Sequence, residues 1–374
     1  MKRIRSAVSF ALLFAAMLVC LCVSASAEEA VTEYVITNES AEEILALAAV
    51  PGLEKIDGTA SKEYDALLEL YHALPECDVF WNYEFEGQVH SSKDEKLKVI
   101  SVDGLTDAVR YLPNLNYIDL IDSNACLADL DACYEINPDA FYYWEFYFGG
   151  YVIRTDIKCY STFHGAGEYR YKDEEMYPIF KYCKYLRALD VGHNDLKDMT
   201  YIGKLTDLEI LIIADNLVED ASPLANLKNL WYLEIFMCYY IENYDFLYEL
   251  PKLTDINACY CEKLENLDFL EAMPDFKFGF FKFTGATWDM ALEWMEKRPG
   301  VDIVISDGDR ESVSGNWRGT ERNTRLRYCF GGWRHITDYR SYDDADFDFG
   351  RYVYPNCTKQ MIAEHPEKYI KTGS

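Results

Sequence analysis

Leu186, Leu189 and Val191 are followed 22 residues later by Leu208, Leu211 and Ile213, and after another 22 by Leu230, Leu233 and Ile235. Leu253, Ile256 and Ala258 repeat the pattern after 23. The alternating end of each triplet has period two, so each predicts a short strand with one apolar edge. A single such strand cannot bury that edge. Stacked copies can, giving a continuous core with a parallel sheet along one side. Asn194, Asn216, Cys238 and Cys261 close the four phrases. An inward amide there predicts hydrogen bonds to buried backbone groups, and a small thiol fits the same place. A metal or redox role for these cysteines is the competing reading. Behind each strand stand Leu196, Val218, Ile241 and Leu264, then Ile202, Leu224, Phe246 and Phe269. Pro223, in "DASPLANL", predicts a turn or short helix in this outer layer.

The ladder continues in weaker form on both sides. Phe276, Gly279 and Phe281, then Gly300, Ile303 and Ile305, extend it downstream. Between them "TWDMALEWMEKRPG" predicts a helix with Trp288, Ala291, Leu292 and Met295 on its buried face and Gly300 at its exit. Upstream, "LPECDVFWNYEFEGQV" aligns without gaps to "NPDAFYYWEFYFGGYV" at an offset of 63, and "NLNYIDL" aligns to "YLRALDV" at 71. Two longer blocks were therefore duplicated, the second with a short insertion. Each predicts a helix ("SKEYDALLELYHAL", "CLADLDACYEI"), a proline, a strand, a tight turn and another strand. Leu97, Ile100 and Val102 are expected in one further strand, and Leu115, Ile118 and Leu120 in the next. About eleven units are expected between Leu74 and Ile305.

The region from Leu186 to Met273 matches LxxLxLxxNxIxDxxxL over four units and resembles the leucine-rich repeats of bacterial internalin-like proteins. The resemblance implies an α/β leucine-rich repeat solenoid: curved, with a parallel sheet on the concave face, helices and turns on the convex face, and an irregular C-terminal cap. It also implies a role in protein recognition. The expected organisation is a signal peptide over 1–27, an N-terminal helical cap over 28–73, the solenoid over 74–305 and a C-terminal cap or tail over 306–374. Within the solenoid the repeats are degenerate over 74–185, regular over 186–273 and degenerate again over 274–305.

Composition narrows the partners. The formal charge is −28, which argues against nucleic acid, and 15% aromatic residues argue for a packed chain. Lys2, Arg3 and Arg5, the apolar run Val8 to Val23 and Ala25-Ser26-Ala27 form a cleavable secretory signal. Lipidation at Cys20 or Cys22 is disfavoured by Val19 and Leu21, which stand where a small residue is needed. Loss of 1–27, with its three basic and no acidic residues, takes the charge from −28 to −31. No second stretch is long and apolar enough to span a bilayer, so the mature chain is expected to be secreted, extracellular or at the cell surface, without a membrane span. Ten of the twelve cysteines lie beyond the signal; export permits disulfides, whose connectivity the sequence does not specify.

No catalytic residues, cofactor or metal site are expected. The six histidines have no ligand spacing, Cys259 and Cys261 point to opposite sides of their strand, and "SGNWRG" lacks the GxSxG elbow. The partner-binding residues are expected on the concave face: Tyr117, Asp190, Ile210, Ile212, Tyr232, Glu234, Phe236, Asp255, Phe278 and Phe280. Met237 and Tyr260 join them at strand ends, with Phe283 beyond. Such an apolar-aromatic band with acidic neighbours fits a protein partner with a basic rim. The alternative occupant of the band is the chain's own tail or a cap helix, which would make it ordinary core. A glycan is the alternative ligand, stacked on the rings of "FWNYEF" and "YYWEFYF". A hydrolase using the tail is a third reading. Arg310, Arg318, Arg322, Arg325, Arg327, Arg334 and Arg340 make the tail the only basic segment; it suits a cap paired to the acidic solenoid, or a site for an anion. Thr324 to Trp333 is expected to be a strand.

Overall fold

The computed structural model describes residues 32–148, 151–162, 170–305, and 325, 326 and 328–330. The expected signal peptide and most of the tail therefore lie outside the described residues. The chain divides into two compact units, Met1–Tyr143 and Trp144–Ser374.

In the first unit, strands β1 (Glu33–Val35), β2 (Lys55–Asp57) and β3 (Asp78–Phe80) form one parallel sheet. Helices α1 (Ala41–Ala46) and α2 (Tyr64–Ala73) pack behind it, around Ile36, Ile44, Ile56, Leu67, Leu70 and Trp81. The segment 28–73, expected as a helical cap, thus carries two ladder strands of its own. A β4–β5 hairpin follows (Asn82–Phe85, Gln88–Ser91), turned by Glu86 and Gly87, both at positive φ. That is the backbone of a two-residue primed turn. Then come β6 (Lys96–Lys98), α3 (Leu105–Tyr111), β7 (Tyr117–Asp119), α4 (Leu127–Ile136) and β8 (Phe141–Tyr143), with β6, β7 and β8 in a second parallel sheet. Leu97 pairs with Ile118, so it is the middle of its strand and Ile100 is exposed. The expected Leu97–Ile100–Val102 strand was shifted by three residues, because Asp94 stands where the opening leucine should be.

The second unit begins with hairpin β9 (Glu145–Phe148) and β10 (Tyr151–Arg154). Seven parallel strands then stack in chain order: β11 (Cys159–Ser161), β12 (Ala188–Asp190), β13 (Ile210–Ile212), β14 (Tyr232–Glu234), β15 (Asp255–Asn257), β16 (Phe278–Phe280) and β17 (Asp302–Val304). Leu189, Leu211, Leu233, Ile256, Gly279 and Ile303 occupy one register line. That line is the apolar column the period predicts. The eleven units between Leu74 and Ile305 correspond to β3, β6 to β8 and this sheet. The 63-residue offset carries β3–β6 onto β8–β11 strand by strand, and the insertion falls between β11 and β12, which holds α5 (Asp173–Tyr182). Elsewhere the return path is a 3-10 turn, at Ile202–Lys204, Ser222–Asn226, Asp245–Glu249 and Asp268–Ala272. Helix α6 (Trp288–Lys297) is capped by the Thr287 side chain, which accepts from the Met290 amide. It buries Ala291 and Trp294, with Met290 and Met295 partly buried. Trp288 and Leu292, expected inside, are exposed: the buried face keeps Ala291 and Met295 but is rotated by about a quarter turn from the one predicted.

The rung residues do the work expected of them. Asn216 Nδ2 donates to the carbonyls of Val191 (2.8 Å) and Ile213 (3.0 Å), while its Oδ1 accepts from the Leu196 amide (3.0 Å). Asn194 bonds in the same way to Val191 O and to the Tyr171 amide. The thiols of Cys238 and Cys261 reach the Ile213 and Ile235 carbonyls at 3.2 Å. Each is the carbonyl of the neighbouring repeat that an asparagine amide would have met.

Candidate recognition surface

Within each three-residue strand the middle side chain enters the repeat core and its two neighbours project from the opposite face. That opposite face was expected to be open. It is not: Ile210, Ile212, Tyr232, Phe236 and Phe280 are all buried, and so are Asp190, Glu234 and Asp255. They form a second hydrophobic cluster together with Leu326, Cys329 and Phe330. Phe278, on the same face, is half-buried. The chain's own C-terminal segment therefore lies on the strand face. Residues 325, 326, 328 and 329 are helical, where a strand was expected. Leu326, Cys329 and Phe330 stand at i, i+3 and i+4, which puts them on one helical side. Each buried acid accepts a hydrogen bond from a nearby hydroxyl: Ser161 Oγ donates to Asp190 (3.1 Å), Tyr232 Oη to Glu234 (2.9 Å) and Thr254 Oγ1 to Asp255 (2.6 Å). A band this apolar gains more from a cover than from water, at roughly 25 cal/mol per Å² of apolar surface buried. Of the tail arginines only Arg325 lies among the described residues; the rest fall outside them.

Tyr117 belongs to the first unit. It is half-buried on β7, stacked on Tyr143 (6.0 Å between centroids) and close to Phe141 (5.7 Å). The rings proposed as glycan platforms are mostly interior. Trp81 is fully buried, with Nε1 donating to the Tyr111 carbonyl (2.9 Å), and Trp144 is buried against Phe146. Tyr147 is the exception, strongly exposed on its hairpin.

The exposed apolar surface lies at the strand ends instead. His193, Asp215, Met237, Tyr260 and Phe283 each take a left-handed backbone, with φ between 53° and 66°, immediately after consecutive strands. In the first four of these the amide donates to a carbonyl of the next repeat: Ala214, Phe236, Cys259 and Lys282. This turn ends the strand and throws the side chain outward, so five side chains form a column along one edge of the sheet. The column changes character along its length. At one end Asp215 bonds His193 Nδ1 (3.0 Å) and the Arg170 guanidinium (3.2 Å). At the other, Tyr260 and Phe283 stack at 4.5 Å and 20°. Phe236 meets Tyr260 edge-on at 5.6 Å, and Tyr239 does so at 6.4 Å. Phe283 is 59% exposed, Tyr240 50% and Tyr239 42%. Of the expected binding residues, then, Met237 and Tyr260 reach this edge and Phe236 supports it from beneath. Tyr239 and Tyr240 were missed. Their signal was the extra residue between rung and outer layer: Ile241 stands three after Cys238, whereas Val218 stands two after Asn216.

Titratable chemistry is muted. Cys259 faces the covered side and Cys261 the repeat core, so the pair diverges as predicted. Burial pushes the Cys133, Cys259 and Cys261 thiols up to about 12, and those of Cys183 and Cys238 upward as well. Such thiols are protonated and unreactive at neutral pH. Among the described residues no three His, Cys, Asp or Glu side chains are placed to hold a metal ion, and no helix is long and apolar enough to cross a membrane.

No protein-family model matches the sequence, and no curated protein matches it. Among solved structures, internalin C2 of Listeria monocytogenes is similar at 19% identity with a TM-score of 0.31, over 56% of this chain and 77% of that one. The internalin InlF of the same organism is similar at 15% identity with a TM-score of 0.29, over 74% and 82%. A leucine-rich repeat protein of Leptospira interrogans is similar at 11% and 0.28, over 72% and 81%. The leucine-rich repeat architecture of this chain follows from its own strand register.

Proposed function

We propose that this chain is an exported, non-enzymatic leucine-rich repeat protein that recognises another protein, and that it docks through the strand-end edge. Export rests on the expected signal over 1–27. The observation that carries the docking reading is the Tyr260–Phe283 stack with Phe283, Tyr239 and Tyr240 left exposed beside it. Rigid aromatic side chains held on a repeat scaffold are what protein interfaces use as anchors. The strand face, by contrast, is occupied by Leu326, Cys329 and Phe330.

Partner capture with the purified chain, read by mass spectrometry, tests this beside the Tyr239→Ala/Phe283→Ala double variant. The double variant should lose about tenfold or more in affinity for the captured protein. Its circular dichroism spectrum and melting temperature should match the wild type, because both side chains are exposed. Tyr232→Ala/Phe236→Ala should instead lower the melting temperature, since those rings are core. Equal partner affinity in wild type and edge variant would refute the docking site. Saturable binding on a glycan array, lost with the same two rings, would replace the protein partner by a sugar.

A further inference from the structure

We infer that the surface recognised by the strand-end edge is cationic: an arginine- or lysine-rich segment of a partner protein, laid over Phe283, Tyr260 and Tyr239 and paired to Glu262. This rests on the docking reading above and names the chemistry of the partner. The rings supply the first half of the site. An aromatic face carries negative quadrupole density and attracts a guanidinium or ammonium placed over it. Tyr260 and Phe283 are stacked on one another, and Phe283 keeps most of its surface open. Tyr239 adds a second exposed ring at their edge.

Charge supplies the second half. Cys238 and Cys261 are equivalent rungs, so Tyr239 and Glu262 hold the same position in adjacent repeats and stand side by side. Glu262 is exposed. Nearby ions are already matched. Lys263 pairs with Glu242, Asp215 with Arg170 and His193, and Lys282 is buried with its ammonium 5.8 Å from the Phe280 ring. The Tyr239 phenol is pushed up by burial first, and then by the negative charge of Asp215 and Glu262 and the neighbouring Tyr260. With those charges matched, Glu262 is the acid that remains at the edge among the described residues. An apolar partner would cover the rings but strip water from the Glu262 carboxylate without a counter-charge, which costs free energy. A cation satisfies ring and carboxylate together. The formal charge of −28 steers the same class of partner toward the chain, without saying where it lands.

The test uses the full-length chain and two fluorescein-labelled decapeptides, one alternating arginine with glycine and one with citrulline in place of arginine. Citrulline keeps the planar shape and removes the charge. Fluorescence anisotropy should show saturable binding of the arginine peptide, about tenfold tighter than the citrulline peptide. Tyr239→Ala and Phe283→Ala should each weaken the arginine peptide about threefold, and Glu262→Gln by a similar factor. Glu293→Gln, an exposed acid on the return helix α6, should leave it unchanged. Arginine-peptide binding that survives loss of the rings would be general attraction to an acidic surface and would overturn the inference. So would equal affinity for the two peptides, or no saturation below about 1 mM. If protein capture still depends on Tyr239 and Phe283 while citrulline and arginine bind alike, the docking edge stands and its cationic chemistry falls.

Discussion

Asn216 offers the sharpest test of how the repeats hold together. It is almost fully buried, and its amide meets two neighbouring repeats at once. Replacing it with alanine leaves the Leu196 amide without the Oδ1 it donates to, in a place closed to water. That orphan costs about 1–3 kcal/mol. The carbonyls of Val191 and Ile213 fare better, because Asn194 Nδ2 still reaches the first and the Cys238 thiol the second. Their weakened bonds and the small void add about 1 kcal/mol. Asn216→Ala should therefore destabilise by about 2–4 kcal/mol. Cys238→Ala removes one weak thiol bond to a carbonyl that keeps Asn216, and should cost about 1 kcal/mol. Asn216→Asp is the discriminating variant. It keeps the acceptor for Leu196 but turns a carboxylate toward the Val191, Ile213 and Ala214 carbonyls, all of which the amide approaches as donor. It should be the worst of the three, or bind a proton to survive. Urea unfolding followed by tryptophan fluorescence gives the midpoints, converted with a common slope. If aspartate is tolerated, or if alanine costs no more at 216 than at 238, the amide is not the staple described here.

Two other outcomes follow from burial. The thiols of Cys133, Cys259 and Cys261 sit near 12 when folded against 9.0 when free, so the unfolded chain loses those protons first. Their stabilising effect is complete below pH 9 and is lost as pH rises toward 12, at about 1.4 kcal/mol per pH unit for each thiol. Comparing unfolding midpoints at pH 8 and pH 10 should show a smaller drop in Cys261→Ala than in wild type; equal drops would mean the thiol does not titrate differently on folding. In the native chain a thiol reagent should modify exposed Cys126 and spare these three. At the covered face, Phe330→Ala removes a fully buried ring, worth about 3–5 kcal/mol of local packing. An anilinonaphthalene dye should then bind the uncovered strand face with the far-ultraviolet spectrum unchanged, and unaltered dye fluorescence would show that the segment does not cover it.

The repeat core was legible because its rule is local. A leucine three residues before another, with alternation after it, decides one strand without reference to any other. Where that rule thins, so did the reading. "EYV" and "KID" are three-residue strands outside the regular leucine phrase, so β1 and β2 were absorbed into a helical cap. At Leu97 a missing leucine slipped the register by three. The outward face is a different kind of problem. Ile210 and Tyr232 look like an exposed band from within their repeats, but Leu326, Cys329 and Phe330, about a hundred positions later, join them in one buried cluster. Periodicity cannot report a contact made by a segment that has no period. The i, i+3, i+4 spacing of Leu326, Cys329 and Phe330 was the trace of it, hidden under the strand reading of Thr324 to Trp333.

The strand-end column shows why surface and core separate so cleanly in this architecture. A left-handed backbone at a residue other than glycine costs on the order of 1–3 kcal/mol, and it is adopted here at five successive strand ends. Glycine would remove that cost and make the same turn. Yet the chain places His, Asp, Met, Tyr and Phe there. The turn itself carries the amide to the next repeat's carbonyl at four of the five positions; the side chain is turned out of the repeat core, with Met237 and Tyr260 resting partly on the covering cluster and Phe283 exposed. Its identity can then drift from an ion-paired polar cluster at Asp215 to an aromatic stack at Phe283 while the rungs beneath stay equivalent. On the docking reading proposed above, it is these outward side chains, held in a costly backbone conformation, that a partner would meet.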